Sequence, residues 1–155
     1  CFFCIGVSSV GIKEAEYNRI TYQLTMHVAE TLLKLNRDLC FCFVSGIGTD
    51  ISEKGRTMWA RIKAKTENAL LQMPFRSAFM FRPGYIQPMR GAKSRTALYN
   101  AGYVVLKPLY PLIRRLAPNS VTTNEAIGKA MINVATNGYE QKILYPRHIN
   151  FLAVD

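Results

Sequence analysis

Apolar residues fall in short runs separated by longer stretches with a helical spacing. The first run, residues 1–7, is nearly continuous and is closed by Gly6 and Ser8-Ser9, which fits a parallel strand covered on both faces. From Lys13 to about Leu35, the residues Ile20, Leu24, Val28 and Leu32 recur every four positions. That spacing predicts a long amphipathic helix ending near Asn36. Residues 39–45 form the next apolar run. Arg56 to about Met73 reads as a second helix with Met58, Ile62, Ala69 and Leu70 toward the sheet, stopped by Pro74. Residues 77–82 give a third strand. Strand and helix alternate, so the expected architecture is α/β, a parallel sheet with right-handed crossovers and helices packed over it.

The pattern changes after Pro88. Residues 90–118 hold Pro108, Pro111 and Pro118 among apolar residues, so any helix there is short or broken. Thr122-Thr123-Asn124-Glu125 fits a capping box opening a helix to about Asn137, with Ala126, Ile127, Ala130, Met131 and Val134 inward. Residues 142–145 suit a final strand and 146–149 a closing turn. With no repeat and no linker, residues 1–155 read as a single domain.

The 49% hydrophobic and 19% charged content belongs to a globular chain. No apolar run reaches the roughly 18–20 residues that span a bilayer, so stable membrane insertion is not expected. The net charge of +10 comes from scattered basic residues, with Arg90, Lys93 and Arg95 close together. It suits a solvated surface with a phosphate-bearing ligand better than nucleic acid. Cys1, Cys4, Cys40 and Cys42 all sit in apolar runs and read as core thiols. Cys1-x-x-Cys4 has half the spacing of a zinc site, but residues i and i+3 of a strand face opposite sides, so no metal is expected. Reduced thiols suit a cytoplasmic protein. The chain opens without an initiator Met or a basic leader, and reads as a fragment entered at a buried strand.

Chemistry concentrates between Phe41 and Pro88. The run Phe41-Cys42-Phe43-Val44 empties into Ser45-Gly46-Ile47-Gly48-Thr49, and the next helix carries Trp59, Lys63 and Glu67 four residues apart. The following run, Ala78-Phe79-Met80-Phe81, ends in Arg82-Pro83-Gly84. This order resembles the second half of a short-chain dehydrogenase/reductase of the extended or atypical kind, which includes sugar-nucleotide epimerases and NAD(P)H-binding reductases. The resemblance covers nearly the whole chain. It implies a Rossmann-like fold whose first strands are absent, and a dinucleotide, NAD or NADP, acting on a small-molecule substrate.

In that family a helix carries Tyr-x-x-x-Lys. The tyrosine exchanges a proton with the substrate oxygen, and the lysine one turn later lowers the tyrosine's pKa and holds the nicotinamide ribose. A serine on the preceding loop polarises the same oxygen. The resemblance therefore assigns catalytic places to Ser45, Trp59 and Lys63, with Thr49 able to stand in for Ser45. It assigns cofactor contacts to Gly6, Val7, Ser8, Lys63, Arg82, Pro83 and Gly84. A bare strand-end serine and a solvated helix lysine would look the same in sequence. His27 and His148 read as surface or packing residues.

Two departures bear on activity. Trp59 has one N–H donor and no acid–base chemistry near neutral pH, so a proton relay cannot run through position 59. The glycine-rich pyrophosphate fingerprint is nowhere in the chain, so dinucleotide binding by this chain alone should be weak. An open sheet edge would favour a homo-oligomer. The expectation is thus an oxidoreductase or epimerase-like protein, catalytically impaired. One alternative is a catalytically silent nucleotide- or protein-binding relative. Another is a basic module that lays Leu98, Tyr99, Val104, Val105, Leu109 and Ile113, beside Arg114 and Arg115, on an anionic membrane.

Overall fold

Aromatic residues dominate three short runs, and these form the spine of the computed structural model, which describes residues 1–89 and 120–154. The first half of the chain holds β1 (Phe2–Phe3), α1 (Glu14–Asn18), a π-helical turn (Arg19–Gln23), α2 (Leu24–Leu35), β2 (Cys40–Val44) and α3 (Met58–Gln72). The second half holds β3 (Ser77–Phe81), β4 (Tyr85–Gln87), β5 (Val121–Thr123), α4 (Asn124–Asn137), β6 (Ile143–Leu144) and α5 (Pro146–Leu152). Four strands make a parallel sheet in the order β1–β2–β3–β6, with Phe2 beside Cys42, Cys42 beside Phe79 and Phe81 beside Leu144.

Side chains alternate across a strand, so each face of the sheet needs its own cover. On one face Phe3, Phe41, Phe43, Ala78 and Met80 pack with Ala29, Leu70 and Phe75. The Phe3 and Phe41 ring centroids are 5.9 Å apart, and those of Phe41 and Phe75 are 5.4 Å apart. On the other face Cys40, Cys42, Phe79, Phe81 and Leu144 meet Ile127, Ala130, Met131 and Val134 of α4 and Ile149 of α5. Burying each large side chain contributes about 1.5–3 kcal/mol, which makes these two layers the main source of stability. Helices therefore cover both faces of a parallel sheet, as the alternation of patterns predicts. Among the described residues, no helix is long and apolar enough to cross a membrane.

Several local expectations are corrected. The predicted apolar stripe on the first helix is not the fully buried one. Tyr17, Thr21, Thr25 and Ala29 are buried, whereas Leu24 is 39% exposed. The π-helical turn widens the helix by one residue and rotates its two ends relative to each other, so the stripe turns outward at Leu24. Val28 and Leu32, further along, still pack toward the sheet. With Arg19, Gln23 and His27, Ile20 and Leu24 line a shallow apolar groove of about 380 Å³.

The first strand is only two residues long, and Cys4, Ile5, Gly6 and Val7 are exposed. Among the described residues it lies at the sheet edge, paired on one side only, and Cys4 lies outside the core while Cys40 and Cys42 are inside it.

The helix expected from Thr122 begins one residue later. Thr123 is the N-cap, accepting a hydrogen bond from the Ala126 N–H at 3.0 Å. Thr122 is instead committed to β5, where its hydroxyl donates to Asn150 Oδ1 at 2.8 Å. The pairing of β4 with β5, parallel from Tyr85–Val121 to Gln87–Thr123, has no local signature in the sequence. Residues 146–152 continue as helix α5, with Pro146 in its first turn where a missing N–H costs nothing. The proline-rich stretch 90–118, with its basic cluster and apolar–basic segment, lies outside the described residues.

Candidate functional site

In a parallel sheet every strand delivers its carboxyl end to the same edge, where loops converge. Here β2 delivers Ser45, β3 delivers Arg82 and β6 delivers Tyr145. The ladder continues beyond the strands. Ser45 N–H donates to the Phe81 carbonyl at 2.7 Å, and Ile47 N–H donates to the Pro83 carbonyl at 2.9 Å. The Ser45–Thr49 loop is thereby held against Arg82-Pro83-Gly84. Gly84 is required there, because a Cβ would sit 2.4 Å from the Ser120 carbonyl oxygen.

Ser45 and Thr49 are both buried, and their hydroxyls lie 3.0 Å apart. Thr49 Oγ1 also donates to the Gly46 carbonyl at 2.8 Å, which leaves Ser45 to donate to Thr49. Gly48, at φ +87°, makes the bend between them, a conformation that side chains disfavour. Trp59 rests on this bend. A Cβ on Gly46 or Gly48 would lie 3.7 Å or 3.5 Å from its six-membered ring.

Lys63 follows Trp59 by one turn of α3, on the same face. Its Nζ donates to the Ser45 carbonyl at 2.9 Å and the Val44 carbonyl at 3.4 Å. Burial pulls the ammonium pKa down to about 8, with the negative charge of Glu67 pulling weakly the other way. Two neutral carbonyls cannot offset the lost hydration as a carboxylate would.

One turn further, Glu67 is fully buried and paired with Arg82. Arg82 Nε donates to both carboxylate oxygens, at 3.0 Å and 3.1 Å, and Nη2 donates to Oε2 as well. Its remaining nitrogen, Nη1, donates to the Tyr145 hydroxyl at 3.0 Å. A single guanidinium thus ties α3, β3 and the end of β6. The pair leaves no carboxylate oxygen of Glu67 uncommitted, so Lys63 has no anionic hydrogen-bond partner among the described residues.

Of the residues singled out in sequence, Ser45, Trp59, Lys63, Arg82, Pro83 and Gly84 converge at this edge. Arg82 is structural in its present contacts, since its donors are spent on Glu67 and Tyr145. Gly6, Val7 and Ser8 follow the edge strand, where Ser8 Oγ accepts from Val10 N–H at 3.2 Å in a local turn. A Cβ on Gly6 would meet open space, so nothing in the described residues requires glycine there. Tyr145 was not foreseen. Only the register of Phe81 with Leu144 brings it beside Arg82, and that pairing is not local. Among the described residues no group of three or more His, Cys, Asp or Glu could hold a metal ion.

No family model matches the chain, and no curated protein matches it in sequence.

Proposed function

We propose that this chain is part of a Rossmann-like, NAD(P)-binding protein of the short-chain dehydrogenase/reductase kind, with its proton-transfer chemistry impaired. The observation that carries this reading is Lys63 at the carboxyl end of β2, alongside the hydroxyls of Ser45 and Thr49 and one turn from Trp59. An amine and two hydroxyls beside a glycine bend suit the hydroxyl groups of a ribose. A bound dinucleotide would supply hydride chemistry, and Lys63 would hold its ribose in exchange for the Ser45 carbonyl. Trp59 would wall the pocket and present a single N–H, with no hydroxyl to move a proton. The substrate is a small carbonyl or hydroxyl compound.

Trp59 also favours a second reading, a silent relative that binds nucleotide without turnover. Calorimetry of NADH and NADPH with the protein and its Lys63→Ala variant tests the shared core of both readings. Weak binding, weakened further by about 1–3 kcal/mol in the variant, is expected for loss of a charged hydrogen bond. Equal affinity of the two proteins would remove Lys63 from the ribose. Adding turnover assays with simple aldehydes and ketones then separates an active enzyme from a silent one.

A further inference from the structure

His148, three residues after the N-cap Tyr145 of α5, meets an N–H donor at each ring nitrogen. The Tyr145 main-chain N–H donates to Nδ1 at 3.2 Å, and Arg147 Nε donates to Nε2 at 3.0 Å. A neutral imidazole has one acceptor nitrogen and an imidazolium has none, so the ring cannot serve both donors. The Tyr145 bond has the structural weight, since it closes the capping box of α5. Arg147 is exposed, and its guanidinium can turn to water instead. The ring is therefore neutral, with its proton on Nε2 and its lone pair on Nδ1. Around it stand Arg147 on its own helix, the Tyr145 ring at the end of β6 and the Tyr139 ring from the α4–β6 connection, whose carbonyl holds Lys142. No carboxylate pairs with the ring among the described residues, and partial burial together with the Arg147 charge holds its pKa below the usual 6.5.

We propose that the start of α5 is an acid-sensitive latch, in which a proton on His148 Nδ1 breaks the bond to the Tyr145 N–H and releases the first helical turn from the end of β6. The device is beyond the dinucleotide reading and independent of it. The added proton sets an N–H against an N–H and puts a second positive charge beside Arg147. What the turn anchors gives the latch its reach. The Tyr145 hydroxyl accepts from Arg82 Nη1 at 3.0 Å. Asn150, further along α5, holds β5 by accepting from Thr122 Oγ1 at 2.8 Å and donating to the Val121 carbonyl at 2.9 Å. A proton on one ring thus loosens contacts to β3 and to β5. Because the folded pKa lies below 6.5, the unfolded chain takes up more protons as pH falls through that value. The stability of the turn is present above pH 6.5 and is lost below it.

The test is amide hydrogen exchange, read by NMR at about pH 7.5 and about pH 5, on either side of the ordinary histidine range. After correction for the intrinsic pH dependence of exchange, protection of the Tyr145, Ile149 and Asn150 amides should fall at least about fivefold at the lower pH, the scale of one hydrogen bond. The Ala130 and Met131 amides of α4 should keep theirs. His148→Gln retains an acceptor that reaches the N-cap N–H and does not titrate, so its protection should be equal at the two pH values. The wild-type ring should titrate below 6.5, a measurement that needs no variant. Equal losses in wild type and His148→Gln, a loss shared by α4, or a ring titrating at 6.5 or above each overturns the proposal. No dinucleotide is present, so a failure of cofactor binding leaves these outcomes unaffected.

Discussion

Glu67 and Arg82 meet as an ion pair sealed inside the protein, their side chains 0% and 3% exposed. Burying two charges is costly, and the pair holds only because Arg82 is also hydrogen-bonded to Tyr145 and meets both oxygens of Glu67. Breaking it from one side strands the other charge. Glu67→Leu or Arg82→Met should each cost about 3–5 kcal/mol in urea denaturation. The double replacement Glu67→Leu with Arg82→Met should cost less than the two singles together. A fully additive double variant would mean that the two side chains are not coupled.

Lys63 should leave a mark on stability above neutral pH. Its folded pKa is lowered to about 8 from an ordinary value of 10.5, so the unfolded chain binds the extra proton between those values. Unfolding then takes up protons, and stability rises with pH across that window. Below about pH 8 the cost of burying the charge is present in full. Lys63→Met should abolish this rise relative to wild type in melts taken from pH 7 to 10. Parallel stability curves for the two proteins would show that the amine titrates normally.

Trp59 is the single tryptophan among 155 residues, so intrinsic fluorescence reports on the Ser45–Thr49 bend alone. Gly48→Ala forces a side chain to φ +87°, at about 1–2 kcal/mol, and adds a methyl 3.5 Å from the ring. The emission should shift and the melting temperature fall. An unchanged spectrum in a destabilised Gly48→Ala protein would place the ring elsewhere.

Three glycines should respond differently to the same methyl group. Gly84→Ala collides with the Ser120 carbonyl, which is backbone and cannot swing aside, and should cost about 2–4 kcal/mol. Gly128, inside α4, opens on empty space, so Gly128→Ala should stabilise by about 0.5–1 kcal/mol through helix propensity. Gly6→Ala, also in open space, should change little. Chemical denaturation of the three variants checks the order.

The sheet was legible because Phe41, Phe43, Phe79 and Phe81 advertise buried strands regardless of their neighbours. Local spacing put Trp59, Lys63 and Glu67 on one face of a helix, whereas the grouping of Ser45, Lys63 and Arg82 came from the resemblance and not from any local pattern. What escaped depends on pairing. Tyr145 reaches Arg82 only through the β3–β6 register, and Thr122 leaves the capping box because β5 pairs with β4. The outward turn of Leu24 escaped because apolar periodicity assumes an evenly wound helix. Cys4 escaped because an edge strand and a central strand are spelled alike.

That wide turn at Arg19–Gln23 has a further consequence, for chain length rather than composition. Each residue of an α-helix advances by about 100°, and the wide turn takes up one residue more than an α-turn does. Deleting one residue there would let it close to an ordinary α-turn, with Tyr17 still covered and the Glu14–Arg61 pair still in place. The same deletion elsewhere in the helix would swing everything before it around the axis by about 100°. The wide turn is thus the one place in this helix where the chain could lose a residue without re-aiming its faces.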